Sequence, residues 1–208
     1  MSEIRETTSK PRRGRGPFAY AIAAFVLIGI AAVLYVIGAA VIRPPGQTDI
    51  RSLAHGEMAK LSMDGSGQAP PTTNFLDAQG HPVTLADLKA PVMVVNLWAT
   101  WCAPCVREMP TLAALQASYP GHVKVVALSM DKLDDREQAR AFIASHPPLD
   151  FYQDTKLAMP FALSPAAEGF PTTILYDRTG HERARLSGAA DWNSADARAV
   201  IEALLAQK

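Results

Sequence analysis

Hydrophobic and polar positions fall along this chain in three patterns. Phe18 to Ile42 contains no charged residue at all. Asp49 to Ser62 sets Ile50, Leu53, Ala54, Met58 and Leu61 at near-helical spacing, which predicts a short amphipathic helix. Its mixed charges favour packing on a domain over lying on a membrane surface. Past the turn-rich connector Asp64-Gly65-Ser66-Gly67-Gln68-Ala69-Pro70-Pro71, short apolar runs alternate with stretches of helical period.

The alternating part predicts its own elements. Asn74-Phe75-Leu76, the turn Ala78-Gln79-Gly80-His81 and Pro82-Val83-Thr84-Leu85 form an N-terminal hairpin. Val92 to Trp98 is a buried central strand, followed by a helix from about Ala103 to Tyr119. His122 to Met130 is an unbroken apolar strand, as expected of one covered on both faces. Asp134 to His146 is a helix burying Ala139, Phe142 and Ile143. Leu149 to Gln153 is a short inserted strand, and Lys156 to Leu163 a helical turn. Thr172 to Tyr176 and Glu182 to Leu186 are strands joined by the turn Asp177-Arg178-Thr179-Gly180. The last helix takes Asn193 or Ser194 as its N-cap and lines up Ala197, Val200, Ile201, Leu204 and Leu205 on one face. Strand and helix in alternation, then a hairpin and a helix, make an α/β sandwich with a mixed sheet. No internal repeat or low-complexity tract interrupts it.

The uncharged run adds a membrane. Its 25 residues span roughly 37 Å as a helix, enough to cross a hydrocarbon core of about 30 Å with some tilt. A cleavable signal peptide has a shorter apolar region, so an uncleaved anchor is expected, although Gly38-Ala39-Ala40 would serve as a cleavage site. Lys10, Arg12, Arg13 and Arg15 precede the run and only Arg43 closely follows it. By the positive-inside rule residues 1–17 are a cytoplasmic basic stretch, 18–42 the anchor, and everything beyond is exported. Residues 43–70 then form a juxtamembrane helix and linker. A formal net charge of zero gives no indication of nucleic acid as a partner.

The chemistry lies where the central strand meets its helix. Trp98-Ala99-Thr100-Trp101-Cys102-Ala103-Pro104-Cys105, running on to Val106-Arg107-Glu108-Met109-Pro110, holds both cysteines of the chain. A helix starting at Cys102 aims free backbone N–H groups and its positive dipole end at that sulfur, which favours thiolate. Cys105 follows one turn on, close enough to close a disulfide. A zinc site needs four ligands where one C-x-x-C supplies two, and the five histidines form no H-x3-5-H pair. A structural disulfide closing so short a loop constrains little of the unfolded chain. Both are weaker readings than a redox dithiol, which needs no cofactor and no metal.

These motifs resemble the thioredoxin superfamily, and the W-C-x-P-C-x-x-E-x-P pattern resembles its TlpA-like branch. Leu53-Ala54-His55-Gly56-Glu57, Glu168-Gly169-Phe170-Pro171-Thr172-Thr173 and Ala190-Asp191-Trp192 carry the likeness over roughly residues 48–208. The resemblance implies a thioredoxin-like domain over 71–208, its mixed central sheet flanked by helices, with an N-terminal hairpin extension and a short central insertion. It implies that Cys102 is the exposed nucleophile and Cys105 the resolving thiol. It also implies that Pro171 is a cis-proline facing the disulfide, where sequence alone predicts trans. Pro110 falls where the family's active-site helix is kinked.

Thioredoxin has a buried aspartate where this chain has Asn96, and an asparagine cannot handle a proton at ordinary pH. Glu108, on the face of Cys105, matches a branch glutamate thought to do so; its other reading is a surface carboxylate. Trp101 and Pro104, with Phe170 and Pro171, are expected to form the surface that binds substrate, Trp98 either framing it or packing in the core. The activity implied is a periplasmic, inner-membrane thiol:disulfide oxidoreductase. It would reduce exported proteins whose cysteines receive copper during cytochrome oxidase assembly, with electrons from a membrane reductant of the DsbD/CcdA kind. Apocytochrome c reduction is the nearest alternative, and a copper-binding chaperone a more distant one.

Overall fold

The computed structural model describes residues 26–35 and 50–207. Residues 26–35 form helix α1, exposed throughout. The basic stretch 1–17 and most of the run from Phe18 to Ile42 lie outside the described residues. Among the described residues no helix is long and apolar enough to cross a membrane. All that follows concerns the compact unit Gly46–Lys208.

A mixed seven-stranded sheet runs in the order β2-β1-β5-β4-β3-β6-β7. Its centre is β3 (Val92–Trp98), buried at every position. Beside it lie β4 (Val123–Ser129), parallel to β3, and β6 (Thr172–Tyr176), antiparallel to it. Both are buried almost throughout, Lys124 of β4 alone being partly exposed, as expected of strands covered on both faces. β5 (Asp150–Gln153) continues the parallel set, and the hairpin of β1 (Phe75–Leu76) and β2 (Pro82–Val83) extends the sheet beyond it. β7 (Glu182–Ser187) closes the other side. Together they make a thioredoxin-like α/β fold.

The segment before the sheet departs from expectation. In place of one helix over Asp49–Ser62 there are a turn of helix, α2 (Ile50–Leu53), and a separate 3-10 helix, Gly56–Lys60. Gly56 breaks them: its φ of +55° is open to glycine, and a Cβ there would stand 2.7 Å from Asp196 Oδ2. Ile50 and Met58 are nevertheless buried, so the apolar spacing does seat the segment on the domain. The chain then runs along β7. Ser62 and Arg185 exchange backbone hydrogen bonds, Gly67 N–H donates to Glu182 O, and Glu182 N–H donates to Gln68 O. Gly65 passes directly over the buried Glu182–Arg185 ion pair, where a Cβ would come within 2.3 Å of Glu182 Oε1.

The longer helices obey their sequence signals. α3 (Ala103–Ser118) follows β3 directly, and α4 (Arg136–Ala144) buries Ala139 and Ile143, leaving Phe142 half-buried. α5 (Ala158–Ala162) is a short insertion after β5. α6 (Ala195–Ala206) is capped by Ser194, whose Oγ accepts from Ala197 N–H, and buries Ala197, Val200, Ile201 and Leu204.

Candidate redox site

Cys102 is the N-cap of α3 and Pro104 lies in the first turn, where proline's missing N–H costs nothing and its fixed φ suits a helix start. Cys102 and Cys105 are joined by a disulfide with their Cα atoms 5.3 Å apart. Cys102 thus stands at the positive end of a 16-residue helix, with no hydrogen bond from the helix N–H groups to its sulfur in the disulfide form. In this oxidised form Cys102 is less open than expected. It is 6% exposed, against none for Cys105, because a disulfide folded into the first turn packs into the domain core. Cys102 is the more accessible of the two.

The surface beside the disulfide is aromatic. Trp101 is 65% exposed and meets the half-buried Phe170 edge-on at 5.9 Å between ring centroids. Trp98, by contrast, is a core residue, fully buried against Phe142 at 5.1 Å. The Phe170–Pro171 peptide is cis, as the resemblance implied and sequence alone did not. Leu97 pairs with Thr172, so the cis bond stands at the end of the sheet that carries the cysteines. Pro171 is buried, and its carbonyl accepts from Gly188 N–H at 2.8 Å. Pro110 is accommodated within α3.

The loop carrying Trp101 is anchored by a residue sequence reasoning missed. Asp131 is fully buried just past the end of β4, and its carboxylate accepts from Thr100 N–H, from Thr100 Oγ1–H at 2.7 Å and from Ser129 Oγ–H at 2.8 Å. Its one sequence signal was position: a polar residue directly after an unbroken apolar strand, parallel to the strand that ends at the site.

Glu108 is not a surface carboxylate. It is 3% exposed, on the face of α3 shared with Cys105. Its Oε1 accepts from Asn96 Nδ2 at 2.8 Å, and its Oε2 from Ala190 N–H at 3.1 Å and Trp192 Nε1–H at 3.3 Å. Burial penalises the charged form and pushes its pKa up to about 7, while the hydrogen bonds from Ala190, Asn96 and Trp192 oppose that rise. A carboxyl balanced there can take and return a proton near neutrality. Asn96 Nδ2 also donates to Thr173 Oγ1 at 2.8 Å, while its Oδ1 is buried with no partner. Among the described residues no group of three or more His, Cys, Asp and Glu is placed to hold a metal ion.

The arrangement can be set beside known proteins. A profile of the AhpC/TSA family matches residues 66–198. The thioredoxin-like protein YneN of Bacillus subtilis is 38% identical over 77 residues, 36% of this chain and 45% of that protein. The thiol-disulfide oxidoreductase ResA of Bacillus cereus is 29% identical over 118 residues, 55% of this chain and 65% of its own length. The chain thus spans less than two thirds of either relative. A solved structure from Chlorobium tepidum, described as a thiol:disulfide interchange protein DsbE, shares 28% identity at a TM-score of 0.58, over 69% of this chain and 99% of that one. That of a thio-disulfide isomerase from Thermus thermophilus shares 26% at 0.54, over 69% and 98%.

Proposed function

This chain belongs to the AhpC/TSA family of thioredoxin-like thiol-disulfide oxidoreductases, and from that premise we propose that it works as a reductant of disulfides in exported proteins. The observation that carries the proposal is the Cys102–Cys105 disulfide at the start of α3 with the Glu108 carboxyl buried one turn further on. The reduced protein begins the cycle. Cys102 thiolate attacks one sulfur of the partner's disulfide and expels the other as a thiolate, leaving a mixed disulfide. Cys105 gives its proton to Glu108, and its thiolate attacks Cys102 Sγ. The Cys102–partner bond breaks, the partner leaves carrying two electrons, and the Cys102–Cys105 disulfide is regenerated.

Trp101, Pro104 and Phe170 are the contact surface for the partner in this scheme. The backbone at Phe170–Pro171 receives an extended segment around the partner's cysteine, a form of strand addition. The exposed Trp101–Phe170 pair supports it, being an apolar patch beside an otherwise buried disulfide.

The setting we favour is the periplasmic face of an inner membrane, with residues 18–42 as an uncleaved anchor. The uncharged run and the basic residues before it support this. An oxidising periplasm would require recharging by a membrane reductant of the DsbD/CcdA kind. The W-C-x-P-C-x-x-E-x-P motif at Trp101 to Pro110 resembles the TlpA-like branch. That favours partners whose cysteines receive copper in cytochrome oxidase assembly.

Trapping tests the proposal. With Cys105 replaced by serine, the mixed disulfide on Cys102 cannot be resolved and the partner is recovered covalently bound. A copper-site assembly factor is the expected catch. Apocytochrome c in its place would move the function to cytochrome c maturation. Copper retained by the purified protein, with no trapped partner, would favour the chaperone reading and end this one.

A further inference from the structure

A cleft of about 240 Å3 opens on Glu108, lined by Glu57, Arg107, Glu108, Thr111 and Ala189 to Asp191. Glu108 is buried, whereas Glu57, Arg107 and Asp191 are exposed, so the cleft leads from solvent to the buried carboxyl. One side is the loop before α6, and three successive backbone N–H groups of that loop end on three different side chains. Ala190 N–H donates to Glu108 Oε2 at 3.1 Å, Asp191 N–H to Glu57 Oε2 at 2.7 Å, and Trp192 N–H to Thr111 Oγ1 at 3.1 Å. Glu57 and Glu108 thus grip adjacent peptide groups of one loop. Glu57 belongs to the Gly56–Lys60 segment that the buried Met58 seats on the domain.

We propose that Glu57 is a positioning residue for Glu108: its charge, held at the cleft by Asp191 N–H, tightens the grip of the buried carboxyl on its proton, and the cleft is the water route by which that proton comes and goes. Its bearing on the reaction rests on the proton role of Glu108 proposed above. The electrostatics follow from the groups that face Glu108. Glu57 comes from the Gly56–Lys60 segment, Asp191 from the loop, and Arg107 from α3 itself; the cysteine pair lies at the start of that helix. β3 and β6 present only the neutral Asn96 and Thr173. The negative charge of Glu57 disfavours a second negative charge on Glu108 and so works in the same direction as burial. Without Glu57 the three hydrogen bonds that favour the anion would meet less opposition.

The test reads the carboxyl directly. In the full chain in its disulfide form, carrying 13C at the glutamate carboxyl carbons, NMR follows the Glu108 titration, with Glu108→Gln identifying its signal. Glu57→Gln keeps an oxygen to accept from Asp191 N–H and removes only the charge. It should lower the Glu108 midpoint by about half a pH unit at low salt. The gap between variant and wild type should close in high salt, because Glu57 is exposed. The pH profile of mixed-disulfide resolution should move the same way. An unchanged Glu108 midpoint in Glu57→Gln overturns the proposal. A shifted midpoint, with a resolution rate that Glu108→Gln leaves untouched, upholds the coupling and refutes the reaction role of Glu108 instead.

Discussion

Asn96 Nδ2 lies 2.8 Å from Glu108 Oε1, so a side chain that cannot carry a proton is hydrogen-bonded to one that can. The unpartnered Asn96 Oδ1 gives the pair a second arrangement. Were the amide to turn over, Oδ1 would accept from a protonated Glu108 and from the Thr173 hydroxyl, at the cost of leaving the amide N–H groups where Oδ1 now has no partner.

The same turn accommodates an amide at position 108, so Glu108→Gln is expected to fold. Its midpoint potential should stay within about 30 mV of wild type, or roughly 1.4 kcal/mol. Resolution of the mixed disulfide should slow about tenfold to a hundredfold near neutral pH, since water substitutes in part for the lost base. Stopped-flow measurement from pH 6 to 8 checks it; a rate equal to wild type throughout would leave Glu108 a structural residue.

Stability offers an independent check. The folded chain holds the Glu108 proton up to about pH 7, whereas the unfolded chain releases it near the ordinary 4.5. Between those values the native state binds more protons, so this group's contribution is greatest below the lower value and lost as pH rises through the upper one. The loss amounts to about 3 kcal/mol. Urea denaturation of the oxidised protein should therefore show Glu108→Gln gaining on wild type by about that much between pH 4.5 and 8. Parallel pH curves would contradict the pKa assigned to Glu108.

Reactivity of the reduced protein should follow the helix start. Cys102, at the N-cap, is expected to be largely thiolate at neutral pH and to alkylate before Cys105, one turn inside and wholly buried. Mass spectrometry after brief exposure to iodoacetamide reads the order, and faster labelling of Cys105 would reverse the two roles.

Removing the Asp131 carboxylate strips acceptors from Thr100 N–H, the Thr100 hydroxyl and the Ser129 hydroxyl together. Asp131→Ala should cost about 2 to 4 kcal/mol, seen as a lower urea midpoint at unchanged slope. Thr100→Val, which keeps the backbone donor, should cost less than half as much.

If the anchor proposal holds, alkaline phosphatase fused after residue 43 will be active and the mature protein will stay with the membrane fraction. A soluble product beginning near residue 41 would remove the anchor and keep the export.

Local pattern carried most of the fold. The bounds of β3 and β6, the start of α3 at the cysteines and the Ser194 cap all follow from signals within a few neighbouring residues. Pairings between distant residues were not legible. Glu57 meets Asp191 across 134 positions, and Asp131 serves a loop on another strand, with nothing periodic to announce either. The apolar spacing over Asp49–Ser62 correctly marked a buried face, but it could not show that tertiary contact at Gly56 would break the helix. The site residues were legible through their motif; the burial of Glu108 needed the packing of α3 against β3 and the 190–192 loop.

The two outer strands of the sheet have a consequence for how other chains can approach it. Exposed strand edges recruit stray extended chains and seed aggregation. Here β7 is already occupied by the protein's own residues 62–68, and Gly65 lies so close over Glu182 and Arg185 that no side chain fits beneath it. At the opposite margin β2 is two residues long and begins with proline, which offers no backbone donor. In the proposed cycle, a client bringing an extended strand would thus find β7 occupied and β2 a poor template, which favours the short stretch of irregular backbone around Phe170–Pro171 at the cysteine end of the sheet.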